Sequence, residues 1–159
     1  MAHARAVPVA LALIAILALA GCGSDAKKET LDQAQQGSFD RSIDDFLAAG
    51  KTFIVNVERC ARRGGRATCV RRATTALSAN ADKTRTTIAD LQRNAGGACA
   101  AQLNLAARRV TEALDVLLPI GAAAQRRNVG STRRLTNRIV AKLRPLAATV
   151  QAERRACKG

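Results

Sequence analysis

The chain has 159 residues, with 26 Lys plus Arg against 12 Asp plus Glu and a formal net charge of +14. That length fits one domain, and the charge favours anionic partners. Three Phe, with no Trp or Tyr, leave no stacking platform for bases, which argues against sequence-reading nucleic-acid binding.

In chain order, Arg5 precedes an apolar run from Val7 to Ala20. Its fourteen residues are fewer than the roughly 20 that cross a bilayer comfortably. A short apolar core with small residues at its exit is the pattern of a cleaved secretory signal. Leu19-Ala20-Gly21-Cys22 resembles the lipobox of bacterial lipoproteins. The resemblance extends only to Asp25 and concerns the leader alone. It implies that residues 1–21 are removed, that the Cys22 sulfur carries a diacylglyceryl group, and that the chain is anchored on the extracytoplasmic face of a cell membrane. Two acyl chains suffice for stable anchoring, where one is marginal.

Residues 22–37 are polar and lack a sustained apolar period, so they read as a tether, with some helical character near Glu29 to Gln36. As a flexible coil it would span about 20 Å. Residues 38–159 read as the folded domain. Phe39, Ile43, Phe46, Gly50, Phe53, Val57 and Cys60 recur in fours and threes, one face of an amphipathic helix. Ser38 is the candidate N-cap, with Asp40, Asp44 and Asp45 near the positive end of the helix dipole. "RRGGR" ends it. A second stripe runs through Val70, Ala73, Leu77, Ala81, Thr84, Ile88 and Leu91, and "NAGG" stops it.

The third stripe is Cys99, Leu103, Ala106, Val110, Ala113, Leu117 and Ile120, with Pro119 expected to kink its last turn. After "NVGS", with Ser131 as candidate N-cap, Leu135, Ile139, Leu143, Leu146 and Val150 form a fourth stripe ending near Cys157. Pro145 is expected to bend it. No stretch alternates as a strand would. Short connections favour antiparallel neighbours, so the expected fold is an all-α, up-down-up-down four-helix bundle; a three-helix bundle with an irregular end is the alternative.

Setting Cys22 aside leaves Cys60, Cys69, Cys99 and Cys157, an even number in a chain read as exported to an oxidising compartment. Metal binding competes weakly, because no Cys-x-x-Cys pair occurs and the only histidine, His3, leaves with the signal. In the expected bundle, Cys60 and Cys69 lie at one end, Cys99 and Cys157 at the other. The other pairings would join opposite ends of helices about 30 Å long, whereas bridged Cα atoms lie within about 7 Å. The expected bridges are therefore Cys60–Cys69 and Cys99–Cys157, adding roughly 3 and 4 kcal/mol on the loop-entropy model.

The charge is unevenly spread. Six of the twelve acids precede residue 46, and 22 basic residues face six acids thereafter. The bundle brings the loop between helices one and two, with Arg59, Arg62, Arg63, Arg66, Arg71 and Arg72, beside the loop between helices three and four, with Arg126, Arg127, Arg133 and Arg134. Arg71, Arg72, Arg133 and Arg134 lie near helix N-termini, where a cation costs about 0.3–1 kcal/mol, so helix stability does not explain them. Guanidinium forks suit phosphate and carboxylate. The ten arginines are thus candidate ligands for an anionic wall polymer or anionic lipid headgroups.

Catalytic candidates are few. No histidine remains after the signal, no glycine-rich phosphate loop or nucleophile motif occurs, and the Glu-x-x-His pairs of ferritin-like metal sites are absent. Glu112 and Asp115 read as partners of Arg108 and Arg109. The reading is non-enzymatic, without cofactor or metal: an envelope binding module. The alternatives are a spacer without a specific ligand, or an apolar-ligand carrier with a cavity beside the small-residue stripe of helix two.

Overall fold

The computed structural model describes residues 30–115 and 117–158, so the expected signal, Cys22 and most of the expected tether lie outside the described residues. All regular elements there are helices: α1 (Gln33–Arg62), α2 (Ala67–Asn94), α3 (Gly97–Asp115), α4 (Leu117–Gln125) and α5 (Val129–Cys157).

α1 starts five residues before the expected boundary. Its N-cap is Asp32, whose side chain accepts from the Gln35 N–H at 2.8 Å, while the Gln35 side chain accepts from the Asp32 N–H at 3.0 Å. This reciprocal box satisfies two otherwise orphaned donors, and Ser38 lies inside the helix. Leu31 is buried, and its N–H donates to the Cys157 carbonyl at 3.0 Å. Gln36 adds a hydrogen bond to the Leu31 carbonyl at 3.0 Å. The segment assigned to the tether is therefore folded from Leu31 onward.

At its other end α1 closes through the glycines of "RRGGR". Gly65 N–H donates to the Cys60 carbonyl at 2.8 Å and Gly64 N–H to the Ala61 carbonyl at 3.4 Å, with φ of +91° at Gly64 and +61° at Gly65. These are the paired bonds of a Schellman motif, for which glycine supplies the left-handed backbone.

α1 and α3 each lie against both α2 and α5, and neither α1 with α3 nor α2 with α5 makes a backbone approach among the described residues. Phe39, Phe46 and Phe53 of α1 fill the centre with Ile88, Leu103, Ile120, Ile139 and Leu146, all buried. Thr84 of α2 donates to the Ser42 carbonyl of α1 at 3.1 Å, Gln92 of α2 to Asn104 of α3 at 2.8 Å, and Arg154 of α5 to Asp40 of α1 at 2.8 Å. Each contact pairs an early part of one helix with a late part of its neighbour. The small residues Ala73, Ala81 and Thr84 of α2 are buried, and the Thr84–Ser42 bond shows the close approach to α1 that they permit.

The third stripe is helical on both sides of residue 116, over α3 and α4, and Pro119 lies inside that helical stretch. α4 leans on α5, α2 and α1. α5 begins at Val129 rather than at Ser131, because the Asn128 side chain accepts from the Ser131 N–H at 2.9 Å and caps the helix. It remains helical through Pro145. Arg109 of α3 donates to the Pro145 carbonyl at 2.6 Å and to the Thr149 hydroxyl. Glu112 pairs with Lys142 of α5 at 3.3 Å. These two residues thus tie α3 to α5 instead of pairing along α3 as the sequence suggested.

The Cys60–Cys69 and Cys99–Cys157 bridges are both present, with Cα–Cα distances of 5.8 and 4.7 Å. The first closes the end where α1 turns into α2; the second joins the start of α3 to the end of α5.

Candidate functional site: the arginine-rich end

The two arginine-bearing corners touch. A Cβ on Gly65 would stand 2.4 Å from the Ala124 carbonyl oxygen and 2.9 Å from Arg127 Cγ, so only glycine lets the α1–α2 corner seat on the α4–α5 corner. Arg127 itself takes a left-handed backbone, φ +56°, as the chain reverses into α5. All ten arginines are exposed. The N-cap of α2 is Arg66, which makes no side-chain capping bond. The partial positive charge of that helix end adds to the arginines.

The ten do not form one cluster. Arg59, Arg63, Arg66 and Arg72 line a single half-open hollow of about 760 Å³ that has the Cys60–Cys69 bridge, Ala73 and Ala76 in its wall and no acidic residue. Arg62 and Arg133 border a smaller hollow with Glu58, and Arg62 pairs with that carboxylate at 3.4 Å. Arg71 lies beside Gly121 and Gln125, and Arg134 donates to the Ser131 hydroxyl at 3.3 Å. Arg127 packs over Gly65, and Arg126 is exposed on the same corner. Glu58–Arg62 is the only ion pair the ten make among the described residues, and it is solvent-exposed, hence weak.

The opposite end carries a group the hydrophobic pattern missed. Glu153 is fully buried in α5, and neither carboxylate oxygen has a hydrogen-bond partner among the described residues. Burial, reinforced by the Asp40 charge and opposed by Arg154, pushes its pKa up to about 7. The hydrogen bond and charge of Asp40 hold the Arg154 guanidinium above its ordinary pKa. Counting back one turn from Cys157 places Glu153 on the buried face, the one sequence signal that could have found it.

Among the described residues no group of three or more His, Cys, Asp or Glu could hold a metal ion, and no helix is long and apolar enough to cross a membrane. No protein-family model, curated protein or solved structure matches this chain.

Proposed function

We propose that this is a non-enzymatic envelope lipoprotein, anchored through a lipid on Cys22, whose arginine-rich end captures anionic polymers or surfaces. In this reading the domain is an up-down-up-down four-helix bundle, with α3 and α4 together forming its third arm. The observation that carries it is the placement of charge. Leu31 lies beside Cys157, whereas the ten arginines lie at the far end of α1, a helix of 30 residues and hence about 45 Å long. An anchor at Cys22 would leave that end pointing away from its own attachment.

Electrostatic capture of this kind weakens steeply as salt rises, because bound counterions are released from the polyanion. The test titrates the oxidised full chain, in neutral micelles, with long-chain polyphosphate at low and physiological salt. A variant with all ten arginines changed to Gln is measured beside it. Binding at physiological salt that disappears in the variant is the expected result. Equal binding by both proteins would reduce the arginines to composition and leave a spacer role. Membrane fractionation of Cys22→Ala checks the anchor: the chain should leave the membrane fraction, and retention there would remove lipid attachment from the reading.

A further inference from the structure

We propose that the hollow between α1 and α2, over the Cys60–Cys69 bridge, is a phosphoryl subsite holding one phosphate group of a larger phosphate-bearing ligand. This rests on the reading of the arginine-rich end as an anion-binding surface, and it narrows ten candidate residues to four.

The hollow differs from the rest of that end in three ways. Four arginines from two helices and their connecting turn line one space, with Arg59 and Arg63 also edging a smaller neighbouring hollow beside Glu58, whereas the other arginines are scattered or, as with Arg62, already paired. No carboxylate lines it, so an entering anion displaces no internal partner. Its volume of about 760 Å³ falls in the range that holds a small organic ligand, with Asn56 and Thr68 as neutral hydrogen-bonding groups.

The number of forks selects the anion. A carboxylate is planar, and one or two bidentate arginines saturate its two oxygens. A phosphoryl group presents acceptors around a tetrahedron and can engage forks from both helices at once. The bridge fixes the spacing of the two sides, because Arg59 adjoins Cys60 and Arg72 lies one helical turn beyond Cys69. Less freedom is then lost on binding. The wall contributed by the bridge, Ala73 and Ala76 is apolar, suited to the carbon portion of a phosphate ester.

The test compares three forms of the oxidised full chain in neutral micelles: wild type, R59Q/R63Q/R66Q/R72Q, and the charge-matched R71Q/R126Q/R133Q/R134Q. All eight positions are exposed, so neither variant opens the core. Each is titrated with tripolyphosphate and with a short polyglutamate of equal charge at physiological salt. The expected result is a loss of about tenfold or more in tripolyphosphate affinity for the first variant, against about threefold or less for the second. Wild type should also prefer tripolyphosphate to polyglutamate. Equal losses in both variants, or equal affinity for the two anions, would overturn the subsite while leaving general capture by the arginine-rich end intact. Wild type that binds neither anion, nor the long-chain polyphosphate, would overturn both. Phosphatidylglycerol in mixed micelles separates the phosphate sources. Capture that depends on the four arginines assigns the group to a lipid headgroup, and tripolyphosphate binding without such capture assigns it to a soluble chain.

Discussion

The two ends of the bundle each carry a disulfide, and they treat charge in opposite ways. At the arginine-rich end, Cys69 is exposed, and its bridge forms the wall of a water-facing hollow lined by arginines without an acid. At the other end, Cys99 and Cys157 are fully buried. There the charges are drawn inward, with Asp40 bonded to Arg154 and Glu153 enclosed in the core. Charge left in water and unpaired is available to a ligand. Charge enclosed by protein constrains the fold and makes it respond to pH. On the proposed reading the first end serves contact, whereas the second holds four chain segments together.

Breaking one bridge at a time tests that division most strongly. Cys99–Cys157 closes a span of 58 residues and Cys60–Cys69 a span of 9. The loop-entropy model gives about 4 kcal/mol for the first and about 2.6 for the second. Chemical denaturation of C99S/C157S should show the larger loss, and on exposure to mild reductant the Cys60–Cys69 bridge should open first. The reverse order of stability losses would mean that the arginine-rich end also holds the fold together.

Next in size is Glu153. Its carboxyl titrates near 4.5 in the unfolded chain and at about 7 when folded. Between those values the folded state therefore holds an extra proton, and stability falls as pH rises. The full effect is about 3 kcal/mol, greatest above pH 7 and absent below about 4.5. Unfolding midpoints of Glu153→Gln should lose most of this slope, with a gain of about 2 kcal/mol at pH 8. A wild-type profile that is flat from pH 5 to 8 would show that the carboxylate finds a partner.

The smallest contrast lies within the α1–α2 corner. Gly65→Ala meets the Ala124 carbonyl as well as backbone strain, and should cost about 2 kcal/mol. Gly64→Ala meets only the end of the Arg127 side chain at 4.0 Å, and should cost about 1. Thermal melts of the two single variants would measure the seating of the corners; equal costs would mean that they are not pressed together.

Much of the helical pattern was legible because burial follows period. All seven stripe residues of α1 and all seven of α2 are buried, including Gly50 and Thr84, which hydropathy alone would not select. In α5 the apolar stripe captured Ile139, Leu143 and Leu146 but passed over Thr132, Thr136, Thr149 and Glu153 on the same face. Those inward polar positions are visible only by spacing. The third stripe likewise keeps Cys99, Leu103, Ala106, Val110, Ala113 and Ile120 buried. Leu31 was missed for a different reason: its burial depends on a backbone bond to Cys157, a contact remote in sequence. At the arginine-rich end, the ten residues followed from topology. Their division into four around one hollow and six elsewhere depends on side-chain direction, which no linear pattern encodes.

The two bridges also decide how the domain would respond to mechanical tension. A pull between Leu31 and Cys157 travels along α1 to Cys60, crosses to Cys69, follows α2 to Cys99 and crosses to Cys157. Only roughly 60 residues can straighten, limiting extension to about 200 Å instead of roughly 440 Å for the same stretch without bridges. The segment between the two cysteines, with Arg62, Arg63 and Arg66, is bypassed, and so are α3, α4 and α5. Tension would strip α1 and α2 from the domain while leaving the other helical segments slack, as a ready surface for these two to re-form against.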